Sequence, residues 1–298
     1  MKKTVLVIGA TGMLGRPVAL SLQKAGYKVR VFSRDINKTK DIYDNSFEFA
    51  YGDVTNKASL ENALEGCYGV HINLSGGPTP ESYDEIEHKG AFNTALAAKT
   101  MDIKKLTIIT GASVSEGNSW FYTTNAKHNA ELAVKGSGVN YTIFKPSWFM
   151  ESLPLFIRRN KATLIGKQTT PLSWLAVADY ARIVADSFSS DKAVNKTLFV
   201  LGPEKYSMEE ALTKFISKVV PDVKIKKVSP GMLRFFGRIG KNEKLKDIAD
   251  FMHYCEKIGN DMEIGSGDEL NRLLGAPSTT LDQWLENYIA RKEGTVFA

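Results

Sequence analysis

Three glycines within seven residues follow an apolar run, and their spacing matches that of turns that bind phosphorylated ligands. In Gly9-Ala-Thr-Gly12-Met-Leu-Gly15 the first glycine permits a tight turn and the second lets the backbone approach a pyrophosphate. The third lets the following helix pack closely on the strand, and the helix N-terminus then favours phosphate. A phosphate-binding loop of an ATPase needs Lys and then Ser or Thr after its last glycine, and Arg16-Pro17 at these positions argues against such a loop. We expect this turn to bind a dinucleotide through Gly9, Thr11, Gly12, Met13, Leu14 and Gly15.

The choice of dinucleotide depends on the residues about 20 positions after the glycines, where NAD-binding units carry an acid for the ribose 2′-hydroxyl. Ser33 and Arg34 occupy that place. A hydroxyl and a guanidinium would bind a 2′-phosphate, which an acid would repel. The pattern predicts NADP(H) in preference to NAD(H). In the alternative, Asp35 turns inward to serve NAD and Arg34 is solvated, although Asp35 is better placed to begin the next helix.

Two further strand ends supply small or polar residues on the same side of the predicted sheet. Asp53, followed by Val54, could contact the adenine amino group, or it could be an ordinary turn or cap residue. The series Asn73-Leu-Ser75-Gly-Gly could let the backbone approach the middle of the cofactor, or it could be a surface turn. Ligands bind at the carboxyl ends of parallel strands, so we expect cofactor contacts from Asp53, Val54, Asn73 and Ser75.

Alternating apolar runs and helical patterns supply the elements that position these residues. Strands are predicted at 4–8, 28–32, 47–51, 69–74, 106–110, 140–144 and 197–201. Helices are predicted between them at 13–24, 59–64, 83–100, 125–134 and 178–188. Strands separated by helices form βαβ units, which predicts an α/β fold with a Rossmann-type, doubly wound parallel sheet.

The pattern changes after residue 145, which indicates a second part of the chain. Residues 148–171 have no clean period and are predicted to form an insertion that projects beyond the sheet. After residue 204 the chain is helix-rich, with capping boxes at Ser207–Glu210 and Thr280–Gln283. We predict an NAD(P)-binding domain over 1–155, its sheet completed by about 173–202, and a smaller, mainly helical lobe for substrate or partner over 156–298.

Several of these segments resemble the atypical, NmrA-like branch of the short-chain dehydrogenase/reductase superfamily. They are GATGMLG at 9–15, FSRD at 32–35, GDV at 52–54 and AKHNAELAVKGSGVNYTIFKPSWFMES at 126–152. LAVADYARIVADSF at 175–188 and ELNRLLGAPSTTLDQWLENY at 269–288 resemble the family's C-terminal half. The resemblance covers nearly the whole chain and implies a site in the cleft between a dinucleotide-binding lobe and a smaller lobe. It implies cofactor contacts from Gly12, Arg34, Lys127 and Pro146.

The sequence departs from the superfamily at its catalytic pair, Tyr-x-x-x-Lys, in which the lysine lowers the pKa of a tyrosine acid. Lys127 is the candidate lysine, but Thr123 stands four residues before it and Tyr122 is one residue too early. Tyr122, in a loop before a helix that begins near 125, could reach the site or could pack on the pocket rim. Lys127 is expected at the cofactor or at the reacting groups. Alternatively, it is a surface lysine paired with Glu131 one helical turn later.

A hydroxyl near the end of the fifth predicted strand completes the candidate catalytic set. Thr110 occupies the usual serine position of the superfamily, and Ser113 is a second candidate. The predicted catalytic residues are therefore Lys127, Tyr122 and Thr110.

Composition and charge limit the classes of partner. The net charge of +6 is dispersed, and its densest cluster, 224–227, alternates as a half-exposed strand, so we expect no specific nucleic acid. No apolar run approaches the ~18–20 residues of a membrane span, which predicts no membrane partner. Two isolated cysteines and four scattered histidines suggest neither a disulfide scaffold nor a metal site. We expect a reduced, cytoplasmic protein, either a monomer or a homodimer.

Three functions are compatible with these residues. The leading hypothesis is an NADPH-dependent oxidoreductase acting on a small carbonyl, a quinone or an activated alkene. The second is a non-catalytic NADP(H)-sensing regulator with a protein partner, which the missing Tyr-x-x-x-Lys spacing favours. The third is a nucleotide-sugar epimerase, which is weaker because that chemistry depends on the missing tyrosine.

Overall fold

Seven parallel strands form the central sheet of the computed structural model, which describes residues 2–292. In spatial order the sheet runs β10-β6-β5-β4-β1-β2-β3. The strands are β1 (Thr4–Ile8), β2 (Lys28–Ser33), β3 (Glu48–Tyr51), β4 (Gly69–Ile72), β5 (Lys105–Ile109), β6 (Tyr141–Pro146) and β10 (Lys196–Val200). All seven predicted strands are present, and every pair within the sheet is parallel.

Helices cover both faces of this sheet, which confirms the doubly wound α/β prediction. The helices α1 (Gly15–Lys24) and α7 (Val177–Ser189) pack on one face, where Val5 and Val7 of β1 point. On the other face, where Leu6 and Ile8 point, lie α3 (Lys57–Leu64), α5 (Gly90–Thr100) and α6 (Tyr122–Gly136). β1 is apolar at every position because its side chains alternate between two buried layers.

Two helices differ from the prediction at their N-terminal ends. α6 begins at Tyr122 rather than near 125, because Phe121 stacks on Tyr254 of a distant helix with ring centroids 4.4 Å apart. The helix predicted over 83–100 is three segments: α4 (Pro80–Tyr83), a π-helical turn (Asp84–Lys89) and α5. α4 begins early because Thr79 and Ser82 form a capping box.

The C-terminal part has its own core and contributes α8 (Met208–Val219), α9 (Pro230–Ile239), α10 (Glu243–Ile258), α11 (Asp268–Leu274) and α12 (Leu281–Lys292). Both predicted capping boxes are present, at the starts of α8 and α12. The segment 148–171 holds β7 (Ile157–Arg158) and β8 (Lys161–Ile165), and β8 pairs with β12 (Ile225–Val228). The domain boundary near residue 155 stays a prediction.

A small antiparallel pair, β9 (Leu172–Trp174) and β11 (Glu204–Tyr206), completes the strands of the described chain. No helix within 2–292 combines the length and apolarity needed to cross a membrane.

Candidate functional site

A cavity of about 1040 Å³ opens at the carboxyl ends of β1, β2, β4 and β5, where open parallel sheets bind ligands. Its walls include the glycine turn on one side and α10 on the other. Gly15 and Tyr122 do not line it. The other predicted site residues do: Gly9, Thr11, Gly12, Met13, Leu14, Ser33, Arg34, Asp53, Val54, Asn73, Ser75, Thr110, Ser113, Lys127 and Pro146.

The three motif glycines have different reasons to lack a side chain. Gly9 has φ +75°, and a Cβ there would lie 1.8 Å from the Asn73 carbonyl oxygen. A Cβ on Gly15 would lie 2.2 Å from the Gly9 carbonyl oxygen, so helix α1 could not pack as closely. Gly12 differs because the nearest protein atom to its Cβ position is 3.4 Å away. The space beside Gly12 is therefore available to a ligand, which fits the pyrophosphate of a dinucleotide.

The start of α1 is suited to an anion. No side chain of the described residues caps this helix at Leu14, and Gly12, Met13 and Leu14 all line the cavity. Backbone N–H groups at a helix start carry partial positive charge and bind phosphate readily. The turn residues present therefore fit the cofactor that the motif predicts.

Arg34 lies at the mouth of the cavity beside Asp53. Its side chain is 75% exposed, and its Nη1 lies 3.7 Å from Asp53 Oδ2. Burial raises the pKa of Asp53, but hydrogen bonds from Thr55 and the charge of Arg34 outweigh this effect and hold the pKa below its usual value. Asp53 is thus ionised, its Oδ1 accepts from Thr55, and its Oδ2 faces the guanidinium.

Asp35 does not point into the cavity as an NAD-type acid would. Its side chain accepts a hydrogen bond from the Lys38 backbone N–H at 3.0 Å and caps α2 (Ile36–Lys40). Ser33 lines the cavity, and its hydroxyl accepts from Thr39 at 2.8 Å and donates to the Asp35 carbonyl oxygen at 3.1 Å. At this end of the cavity the exposed group suited to a phosphate is therefore the Arg34 guanidinium, with one acid, Asp53, beside it.

Lys127 forms an ion pair with Glu87, not with Glu131 as the local alternative supposed. Lys127 Nζ lies 2.6 Å from Glu87 Oε2, and Glu87 is only 5% exposed. The other carboxylate oxygen of Glu87 accepts from the Gly76 backbone N–H at 2.8 Å. Glu87 belongs to the π-helical turn, a type of distortion frequent at functional sites. Lys127 is thereby held at the cavity wall by a buried carboxylate.

Glu131 instead belongs to a second buried ion pair below the cavity. Its Oε2 lies 3.2 Å from Lys145 Nζ, which also donates to the Val114 carbonyl oxygen. Thr110 donates its hydroxyl proton to Glu131 Oε1 at 2.8 Å. Because that proton is committed to a carboxylate, Thr110 can offer a molecule in the cavity only an acceptor. Its proposed catalytic role stays a prediction that this geometry disfavours.

Tyr122 does not line the cavity, but its hydroxyl points to Asp247 of α10, which does. Its hydroxyl donates to Asp247 Oδ1 at 2.7 Å, and Tyr83 donates to Asp247 Oδ2 at 3.4 Å. Burial and the adjacent Asp247 carboxylate raise the pKa of Tyr122 well above its usual value. This is the opposite of the effect a catalytic lysine would have. Burial, with Asp250 and Glu87 adding to it, also raises the pKa of Asp247 despite the two hydrogen bonds.

The part of the cavity beside α10 is mainly apolar, with Asp247 and Ser147 as polar members of its wall. Trp148, Phe149, Phe251 and Met262 line it together with Ile248 of α10. Trp148 and Phe251 have ring centroids 5.9 Å apart. Thr123, which replaces the superfamily's tyrosine, lines the cavity one helical turn before Lys127. This end suits a flat, unsaturated molecule beside the cofactor.

Sequence reasoning missed Glu87, Asp247 and the Glu131–Lys145 pair. Glu87 lies inside a predicted helix, and nothing in its spacing marks it as the partner of Lys127. Asp247 follows Tyr122 by 125 residues, so only the folded chain brings them together. Lys145 stands in the KPSWFM run that carries the family resemblance, which was the available signal.

Comparison with known proteins supports the assignment of the glycine turn. A family model described as NAD(P)H-binding matches residues 9–190. The photosystem II assembly factor Ycf39 of Cyanophora paradoxa is 26% identical over 303 residues, covering 97% of this chain and 92% of that protein. An NAD(P)H azoreductase of Xenophilus azovorans is 26% identical over 209 residues, covering 69% of this chain and 70% of its own.

A solved structure shares the whole fold. The NADPH-dependent quinone oxidoreductase of Escherichia coli, solved with NADPH, has a TM-score of 0.74 at 20% identity. The match covers 96% of this chain and 99% of that one. At this identity the likeness establishes the fold alone.

Proposed function

This chain belongs to the NAD(P)H-binding family whose model matches residues 9–190, and from that premise we propose that it is an NADPH-dependent reductase of quinones and activated double bonds. The observation that carries the proposal is one continuous cavity, lined at one end by the glycine turn and at the other by aromatic side chains. Bound NADPH would supply a hydride at the boundary between these two ends.

The preference for NADPH rests on Arg34, because Ser33 would have to exchange its hydrogen bond to the Asp35 carbonyl oxygen for one to the phosphate. The guanidinium is exposed, and its ion-pair partner among the described residues is Asp53 at 3.7 Å, so it is able to turn onto a 2′-phosphate. Asp35 is committed to capping α2 and does not compete for the ribose. A charge-assisted hydrogen bond of this kind typically contributes about 1.5–3 kcal/mol.

Lys127 would hold the cofactor's ribose and place a positive charge near the reacting atoms. Glu87 and the Gly76 N–H fix the position of its ammonium group. The charge of Glu87 also offsets part of the charge of Lys127, so we assign Lys127 to binding and orientation. It is not positioned to lower the pKa of a tyrosine, because Tyr122 faces Asp247 instead.

The class of acceptor follows from the hydroxyl groups around the cavity. Thr110 and Tyr83 line the cavity and each donate to a carboxylate, as Tyr122 does behind the cavity wall. Thr123 stands where the superfamily has its acid. Reduction of a simple ketone forms a strongly basic oxygen that needs a proton from the protein. A reduced quinone carries a phenol-like oxygen, with a pKa near ~10, and an enolate is likewise stabilised, so water can protonate both. The site therefore favours quinones and activated alkenes over simple carbonyls.

The test combines cofactor binding with turnover. Calorimetry with NADPH and NADH should show tighter binding of NADPH. NADPH consumption should then be faster with a quinone than with a saturated ketone of similar size. Tight NADPH binding without consumption for any acceptor would contradict the reductase proposal.

That outcome would favour the second function, an NADP(H)-dependent regulator of a protein partner. Two observations favour it over an epimerase. The assembly factor of Cyanophora paradoxa matches 97% of this chain, and no tyrosine hydroxyl near Lys127 is free of a carboxylate among the described residues. Cofactor occupancy would then act on the α10 side of the cavity, where Asp247 connects α10 to Tyr83 of α4 and Tyr122 of α6.

A further inference from the structure

Helix α9 carries four large apolar side chains on the side that faces away from the protein. Met232, Phe235, Phe236 and Ile239 are all exposed, Phe235 to 59% and Ile239 to 67%. At ~100° per residue they occupy a single stripe of the helix surface. The opposite side packs on α10, where Gly237 is buried against Lys246. The apolar stripe of α9 is therefore directed outward instead of into a core.

The same segment holds the chain's excess of positive charge. Residues 224–246 contain eight lysines and arginines and a single acid, Glu243, whereas the net charge of the whole chain is +6. The rest of the sequence is therefore close to neutral. This segment comprises β12, α9 and the first residues of α10.

Most of these cations have no carboxylate partner in the part of the chain that the structure describes. Lys227, Arg234 and Lys246 pair with acids at 2.7, 2.5 and 2.6 Å. Within the described residues, no acidic oxygen lies within 4.0 Å of the remaining five, which are Lys224, Lys226, Arg238, Lys241 and Lys244. The charge of this segment is thus available to an external anion.

We propose that α9, with the cations that flank it, is a peripheral binding surface for an anionic lipid membrane. Aromatic and aliphatic side chains of an amphipathic helix insert about 5–10 Å into the interface, while lysines and arginines contact the lipid phosphates. A second copy of this chain is a poor occupant, because two segments of like charge would face each other. Nucleic acid would neutralise the cations but would leave the phenylalanines and Ile239 exposed. The absence of a membrane span does not bear on this surface, because a helix lying in the interface needs none.

The test is sedimentation of the full chain with lipid vesicles. We expect binding to vesicles that contain phosphatidylglycerol, little binding to pure phosphatidylcholine, and at least a tenfold loss of affinity between about 50 and 500 mM salt. The double variant F235S/I239S should reduce affinity about tenfold or more, since both side chains would leave the membrane. The triple variant R238Q/K241Q/K244Q should reduce binding and weaken its dependence on salt.

Matched controls distinguish binding through this surface from non-specific adsorption of the protein to vesicles. F92S/L132S removes two exposed apolar side chains on α5 and α6, and K24Q/K38Q/K40Q removes three exposed cations on α1 and α2. Both controls should bind vesicles as the parent protein does. Equal binding to both lipid compositions, no binding at all, or unchanged binding of F235S/I239S would overturn the proposal. A parent dimer that becomes monomeric in F235S/I239S would also overturn it, because the face would then be an interface between copies.

Discussion

Replacing Arg34 with alanine should abolish most of the preference for NADPH over NADH. The Arg34 side chain is 75% exposed and contacts Asp53 at 3.7 Å, so its ion pair within the protein is weak. A phosphate that replaces Asp53 as its partner gains a charge-assisted bond of about 1.5–3 kcal/mol. The Asp53 carboxylate repels that phosphate by roughly 1 kcal/mol at the dielectric of water. The net preference is then about 0.5–2 kcal/mol, or roughly two- to thirtyfold in Kd.

The same reasoning predicts an opposite effect for Asp53. The variant D53N removes the repulsion while keeping the side-chain volume, so NADPH should bind a few-fold more tightly and NADH should change less. Lys38→Ala, which removes an exposed cation on the neighbouring helix α2, is the matched control and should leave the preference intact. Calorimetric titration of the four proteins with both cofactors gives the required Kd values. Equal affinities of the parent for NADPH and NADH, or an unchanged preference in Arg34→Ala, would refute the role of Arg34 in selecting the cofactor.

Three further outcomes follow from the geometry. Lys127→Met should weaken NADPH binding and turnover by about tenfold or more, because it leaves Glu87 buried and unpaired. Lys135→Met on the same helix is the control and should change neither quantity. Calorimetry and initial rates measure both, and unchanged values for Lys127→Met would place the lysine outside the site. Tyr122→Phe should lower kcat by less than ~10-fold, since a general acid normally contributes ~10²–10⁴-fold, and a larger loss would make Tyr122 catalytic. Full burial lowers the pKa of His71 to about 3 from 6.5, so the folded state binds fewer protons than the unfolded state and stability falls as pH drops from about 6.5 towards 3. His71→Gln should flatten this part of the curve in denaturant titrations at successive pH values, and an unchanged slope would show that His71 titrates normally in the folded protein.

Local patterns were sufficient for the sheet and for the glycine turn. β1 is apolar at every position because both faces of the sheet are covered. This apolar run, followed by three glycines, was enough to predict a strand, a turn and a helix in that order. The role of Asp35 was also predictable, because a helix start needs an acceptor for its free N–H groups.

The partners of the catalytic candidates could not be predicted, because they come from distant parts of the chain. Helical spacing suggested Glu131 for Lys127, yet the π-helical turn brings Glu87 to within 2.6 Å of it. Glu131 instead faces Lys145 on β6. The early start of α6 and the orientation of Tyr122 both depend on α10, which no local pattern connects to residue 122.

The most direct test of the reductase proposal uses NADPH with deuterium in both positions at C4 of the dihydronicotinamide and an α,β-unsaturated ketone as acceptor. Mass spectrometry and NMR of the product would locate the label. We predict a saturated ketone with one deuterium on the β-carbon and a solvent-derived proton on the α-carbon, because no side chain needs to protonate the oxygen. An allylic alcohol labelled at the carbonyl carbon would contradict the inferred acceptor class. Recovery of unreacted ketone with bound NADPH would contradict reduction itself.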